Sequence, residues 1–127
     1  MVILAEGYWG KILNVDLKKA SFTIEEPHPR VYRRLLGGKG FIGYYLCREM
    51  QAGADPLSPS NILVFAPGLL TGSLLPGATK VSVGAKSPLT GAFGEAEAGG
   101  AFGRALKGAG FDAIKFTGRS TKPVYLL

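Results

Sequence analysis

Nineteen of the 127 residues are glycine, and they follow no period. An ordinary globular chain carries about 7% glycine, so the share here is roughly doubled. The missing period excludes a collagen-like or simple repetitive array. Glycine gives a core nothing to pack, so its abundance predicts short elements joined by tight turns, or main chain that lies close to another surface. The remaining composition is ordinary, with 46% hydrophobic and 19% charged residues. That balance predicts a folded globular chain and not a disordered one. The length suits one domain, residues 1–127, with a single core.

Between the glycines the patterning is short-ranged. Gly10 to Glu26, GKILNVDLKKASFTIEE, alternates apolar and polar residues and predicts a β-hairpin. Arg30 to Leu36 is a short helix candidate ended by Gly37 and Gly38. Phe41 to Met50 is a second, with Phe41, Ile42, Tyr45, Leu46 and Met50 on one face. Asn61–Ala66 and Lys80–Ala85 read as strands separated by a glycine- and proline-containing loop. A third helix is expected from Gly100 to about Gly108, with Ala101, Phe102, Ala105, Leu106 and Ala109 on one face. Phe111–Thr117 and Val124–Leu127 read as further strands. This order predicts an α+β fold and not a regular βαβ alternation. The apolar ending Tyr125-Leu126-Leu127 suggests a piece of a longer protein.

The formal charge is +6, with basic residues scattered and only Arg30, Arg33 and Arg34 clustered. Aromatic residues do not interleave with them, so no nucleic-acid partner is expected. No apolar run is long enough to span a membrane and no secretory signal is visible. The single cysteine, Cys47, excludes an internal disulfide and a cysteine-based metal site. Core packing is the expectation for Cys47, and solvation for His28, which stands between two prolines. With His28 solvated no Ser-His-Asp set is expected, and a single histidine excludes a two-histidine metal site.

Gly38-Lys39-Gly40-Phe41-Ile42-Gly43 matches G-x-G-x-x-G in letters only. A helix candidate precedes it where the dinucleotide fold needs a strand, and the following strand carries no terminal acid. Gly72–Thr79 fails the P-loop pattern, because Ala78 stands where lysine is required. More informative is Ala85–Gly103, AKSPLTGAFGEAEAGGAFG, with Glu95 and Glu97 just before Gly99 and Gly100. The carboxylates either cap the third helix or sit beside backbone that receives a phosphate. In the second case a cation such as Mg²⁺ must lie between the acids and the anion. Lys80 and Lys86 could add positive charge.

Tyr8–Asp16 (YWGKILNVD), Asp55–Ile62 (DPLSPSNI) with Gly68–Gly72 (GLLTG), and Lys86–Gly118 (KSPLTG…GGAFGRALKGAGFDAIKFTG) together resemble the N-terminal domain of the aldehyde:ferredoxin oxidoreductase family, tungsten- or molybdenum-dependent pterin enzymes. The resemblance covers nearly the whole chain. It implies two β-sheets related by approximate two-fold symmetry, with a few short helices, forming a base for a metal held by two pyranopterins. It implies Mg²⁺ at the pterin phosphates, and a [4Fe–4S] cluster held by cysteines of downstream domains. It also implies ferredoxin as electron partner, a possible homodimer and, with the absent signal, a cytoplasmic location. By the resemblance, Lys80 matches an arginine that bridges pterin and cluster, Glu97 stands where typical members carry a phosphate- and Mg²⁺-contacting asparagine, and Gly99 lies at the pterin. The cofactor-binding set is therefore Lys80, Glu95, Glu97, Gly99 and Gly100, with Glu97 as the Mg²⁺ contact and no catalytic residue in this chain. The implied activity is oxidation of aldehydes to carboxylic acids, or the reverse. The alternatives are hydroxy-acid or aromatic acyl-thioester substrates, or an inactive stand-alone pterin- or phosphate-binding module.

Overall fold

The fold, a computed structural model describing residues 7–125, follows the order β1 (Ile12–Asp16), β2 (Ser21–Glu25), α1 (Pro29–Leu35), α2 (Gly38–Glu49), β3 (Leu63–Pro67), β4 (Val81–Lys86), β5 (Phe93–Ala98), α3 (Phe102–Gly108) and β6 (Ala113–Thr117). The α+β class and the short helices agree with the sequence reading. The two sheets do not, because the described strands join in one six-stranded sheet ordered β2-β1-β6-β3-β4-β5. The joint is β6, which pairs parallel with β1 and antiparallel with β3. It thereby fuses the hairpin to the rest of the sheet. Val124 and Tyr125 form no strand, and the remainder of that expected strand, Leu126 and Leu127, lies outside the described residues.

The register assigns the two faces of the sheet. Ile12 is opposite Ala113, Asn14 and Val64 are opposite Lys115, Ala66 is opposite Ser82, and Gly84 is opposite Glu95. These residues share the face covered by α2. Phe41, Ile42, Tyr45 and Leu46 of α2 are buried there with Ile12, Val64, Ala66 and Ala113. Tyr8, Tyr32 and Phe41 extend this core as a run of rings, with Tyr8 and Tyr32 stacked at 4.2 Å. Cys47 is exposed, against the expectation of core packing. At about 100° per residue it falls on the side of α2 away from Phe41, Ile42 and Tyr45.

Lys115 is a charged residue buried on that face, 5% exposed. Its Nζ lies 2.6 Å from Glu49, 3.4 Å from Glu25 and 4.6 Å from the Tyr45 ring centre. Tyr45 donates its hydroxyl to Glu25, and burial with that carboxylate pushes its phenol well above the ordinary range. Lys115→Met is expected to destabilise the fold by about 2 kcal/mol in urea unfolding, since it leaves Glu25 and Glu49 facing each other. The cost stays moderate because both carboxylates remain partly in water.

On the opposite face Phe22, Ile24, Leu13, Val15, Ile114, Phe116, Leu63 and Phe65 lie side by side. α3 covers part of it through Phe102 against Phe65, at 5.6 Å. Phe22, Ile24 and Leu63 remain exposed. The buried side of α3 is Gly103, Leu106 and Lys107, whereas Ala101, Phe102, Ala105 and Ala109 are exposed. Two forces rotate the helix from the expected face. Gly103 lets it approach the sheet so closely that a Cβ would stand 3.0 Å from Thr71 Cγ2 and 3.5 Å from Val81 Cβ. Lys107 is drawn inward by Asp112, 2.7 Å away.

Candidate functional site

An open groove of about 510 Å³ runs between the start of α2, the loop after β3 and the β4–β5 edge. Its lining includes Gly38, Lys39, Gly68, Lys80, Ser82 and Glu97. Register explains the charged wall. Ser82 pairs with Glu97 and Gly84 with Glu95, so both acids project from one side of β5, the side facing α2. Glu97 Oε1 is 3.0 Å from Lys39 Nζ and its Oε2 is 3.4 Å from Lys80 Nζ. Glu95 Oε2 is 3.6 Å from Lys39 Nζ, and Glu95 Oε1 is buried without a hydrogen-bond partner. The hydrogen bond from Lys39, its charge and the neighbouring Lys80 hold the Glu97 carboxyl below the usual range. The hydrogen bond to Glu97, with the charges of Glu95 and Glu97, pushes the Lys39 ammonium up.

The floor of the groove is set by close main-chain approach. Gly37 and Gly68 form an isolated antiparallel bridge, and Leu69 N–H donates to Leu36 O at 3.1 Å. Thr71 Oγ1 donates to Lys80 O at 2.9 Å, fixing the loop to the base of β4. α2 begins at Gly38, three residues before the sequence reading placed it, with Gly37 as N-cap and no side chain capping it. Gly38 and Lys39, which line the groove, thus belong to a helix start whose first-turn amides carry partial positive charge.

Of the residues singled out from sequence, Lys80 and Glu97 meet in this groove, and Glu95 joins them through Lys39. Gly99 and Gly100 follow β5 on the exposed surface and do not line the groove. Two expectations are corrected. Glu95 and Glu97 cap no helix: they belong to β5, and the α3 N-cap, Ala101, has no side-chain bond. Lys86 takes no part, because its Nζ donates to Ala54 O at 2.6 Å. Lys39 was missed. It lies inside the glycine motif, whose glycines serve packing: a Cβ on Gly40 would meet Leu35 O at 2.5 Å. A lysine one residue inside a helix start was the available signal. His28 is exposed as expected, and its Nδ1 also accepts from Arg30 N–H at the head of α1. Among the described residues no group of three or more histidine, cysteine or acidic side chains is placed to hold a metal, and no helix is long and apolar enough to cross a membrane.

The family described as aldehyde ferredoxin oxidoreductase, N-terminal domain, matches this sequence over residues 12–127. The chain belongs to that family. It is 46% identical over 120 residues to the tungsten-containing aldehyde ferredoxin oxidoreductase of Pyrococcus abyssi and 45% identical to that of Pyrococcus horikoshii. Each match covers 94% of this chain and 20% of the relative, so the chain spans about a fifth of the length of these curated relatives. Among solved structures it is similar to the active-site complex BamBC of benzoyl coenzyme A reductase, determined with 1,5-dienoyl-CoA. The TM-score there is 0.92 at 36% identity, covering 95% of this chain and 18% of the other.

The aldehyde ferredoxin oxidoreductase family implies a phosphate-bearing pterin, and the groove can be tested against one. Gly38 leaves its wall bare: a Cβ there would have only Ser82 Oγ, at 3.7 Å, within reach. Lys39 and Lys80 are donors of the kind that phosphate oxygens accept from. Glu95 and Glu97 supply the hard oxygens that a divalent cation prefers. The two lysines and the bare backbone fit a phosphate ligand.

Proposed function

We propose that this chain is the cofactor-seating N-terminal domain of a longer tungsten- or molybdenum-pterin oxidoreductase. That enzyme oxidises aldehydes to carboxylic acids, or runs the reverse, with ferredoxin-type carriers. The observation that carries this reading is the open groove joining Lys39, Lys80 and Glu97 over bare glycine backbone. The 46% identity to a tungsten aldehyde ferredoxin oxidoreductase supports it.

The bound cofactor supplies the two-electron chemistry. This chain's residues bind and orient. Lys80 and Lys39 bring ammonium groups to phosphate oxygens. Glu97, with Glu95 behind it, holds the accompanying Mg²⁺. Gly99 and Gly100, on the exposed surface beyond β5, offer main chain without Cβ obstruction to the rest of the ligand. No side chain of this domain acts as catalytic acid or base, so residues 1–127 alone are inactive. Downstream domains hold the [4Fe–4S] cluster and cover the apolar sheet face around Phe22, Ile24 and Leu63. A homodimer and a cytoplasmic setting complete the reading.

The test uses the longer protein, purified after growth with tungstate and molybdate. Metal analysis and viologen reduction with a panel of aldehydes are expected to show one of the two metals together with aldehyde-dependent activity. Protein free of both metals would sink the reading. A second reading, an aromatic acyl-thioester substrate, draws on the likeness to BamBC, whose 36% identity ranks below the aldehyde enzymes' 46%. Turnover of benzoyl-CoA without any aldehyde activity would select it.

A further inference from the structure

We propose that the outward face of α1 is the docking surface for an acidic protein partner, and that this partner is the enzyme's electron carrier. The inference rests on reading the chain as a domain of a ferredoxin-linked oxidoreductase. It goes further by giving the carrier a place on this domain and a chemistry of recognition.

α1 is seven residues long and carries three arginines, Arg30, Arg33 and Arg34. At about 100° per residue they fall within about 100° of arc, on the side away from the buried Tyr32. All three are exposed. None of their side chains forms an ion pair or hydrogen bond among the described residues, whereas Arg48 of α2 bonds Tyr44 and lies 3.9 Å from Glu25. Helix stability explains only part of this arrangement. Arg33 and Arg34 stand in the last turn, where cations suit the helix dipole, but Arg30 stands in the first turn, where they do not. No acid in that turn offsets it. Beside Arg33 lies an open pocket of about 320 Å³, whose described lining is Tyr8, Tyr32, Arg33, Leu36 and Leu69. Leu36 and Leu69 also line the larger groove, so pocket and groove share a wall.

Three guanidinium groups spread along one helix face match several carboxylates at once, and each can take a two-pronged bond. A small carboxylate ligand brings one such group and would use Arg33 alone, since Arg30 and Arg34 stand outside the pocket lining. The spread therefore fits a protein surface that presents acidic groups and sets one apolar side chain into the pocket. Arginine and tyrosine are the side chains that dominate such interfaces. The net charge of +6 draws an acidic partner from a distance. On the reading above the cofactor sits in the groove, and the shared wall puts a protein docked on α1 beside it. The electron carrier is the partner that has to come so close.

The experiment measures aldehyde oxidation by the longer protein with two acceptors, ferredoxin from the same organism and methyl viologen, at low and high salt. It compares the wild type, Arg30→Glu/Arg34→Glu, Arg33→Ala, and Lys18→Glu/Lys19→Glu, which makes the same charge change at the exposed β1–β2 turn. For Arg30→Glu/Arg34→Glu, kcat/KM toward ferredoxin is expected to fall about tenfold or more at low salt, chiefly through KM, and to recover toward wild type as salt screens the pairing. Its viologen rate and its KM for the aldehyde are expected to stay within about twofold of wild type, and the Lys18/Lys19 variant is expected to lose less than about threefold toward ferredoxin. Equal ferredoxin kinetics in the two charge-reversed variants overturn the docking surface. So does viologen activity lost in Arg33→Ala, which would give the pocket to a small ligand. A lowered unfolding temperature of Arg30→Glu/Arg34→Glu in the longer protein, absent from residues 1–127, would show that a downstream domain already covers α1, and overturns it too. Each of these outcomes leaves the oxidoreductase reading standing. A wild type inactive toward both acceptors removes that reading and the inference together.

Discussion

Asp112→Ala is expected to lower the unfolding free energy by about 3–5 kcal/mol, the loss typical of removing one partner from a buried ion pair. Asp112 is 3% exposed. Its carboxylate accepts the backbone N–H groups of Trp9 at 2.9 Å, Gly10 at 2.7 Å and Lys11 at 3.2 Å. It also faces Lys107 Nζ at 2.7 Å. Lys107, 5% exposed, donates in addition to Gly7 O at 3.0 Å, and its own carbonyl accepts Trp9 Nε1–H at 2.6 Å. One side chain thus holds the segment before β1 against the end of α3. Alanine leaves a buried ammonium with no compensating charge and three partly buried amides without their acceptor, and burial without a partner is the costly half of the exchange. Urea unfolding of Asp112→Ala, Asp112→Asn and Asp112→Ala/Lys107→Met measures this. Asparagine is expected to lose less, because it retains an acceptor. The double variant is expected to recover part of the loss, because the stranded charge leaves with its partner. A single-variant loss under about 1 kcal/mol would show that the knot carries little of the fold.

That knot also shows where sequence patterning ends. Alternation over residues 12–25 and the apolar face of residues 41–46 were legible, because periods of about 2 and 3.6 are local properties. The hairpin appears where its period placed it, and α2 contains the expected apolar face but begins three residues earlier, at Gly38. Lys107 and Asp112 drew no reading from the sequence, since nothing within a few residues announces a partner or three amides from residues 9–11. The parallel pairing of β1 with β6 is equally non-local, and it turns the strands into one sheet. At the groove, Glu95 and Glu97 were legible as acids beside glycine, and Lys80 as a basic residue matched through the family resemblance. Their geometry was not. Glu95 and Glu97 read as lying before a helix, yet strand pairing with β4 directs both toward α2. Lys39 escaped notice because its contacts lie 56 and 58 positions away in sequence, at Glu95 and Glu97.

Gly37→Ala is expected to cost about 2–4 kcal/mol and to distort the groove, because it combines a clash with backbone strain. Gly37 has φ +79° and ψ −161°, a region open essentially to glycine alone. A Cβ there would lie 2.5 Å from Pro67 O, 3.2 Å from Leu69 N and 3.3 Å from Gly68 C. All three are main-chain atoms, so no side chain can rotate to make room. Relief requires separating the Gly37–Gly68 bridge, which sets the spacing between the start of α2 and the loop that lines the groove. Gly53→Ala is the control: its φ is +75°, but nothing lies within 4 Å of an added Cβ. Strain alone is expected to cost it about 1 kcal/mol. Urea unfolding compares the two variants, and pyrophosphate titration in Mg²⁺ follows the groove. Gly37→Ala is expected to weaken binding where Gly53→Ala does not. Equal unfolding losses would mean that the main chain around Pro67 yields easily, and a groove with so compliant a floor could not hold Lys39 and Lys80 at a fixed spacing.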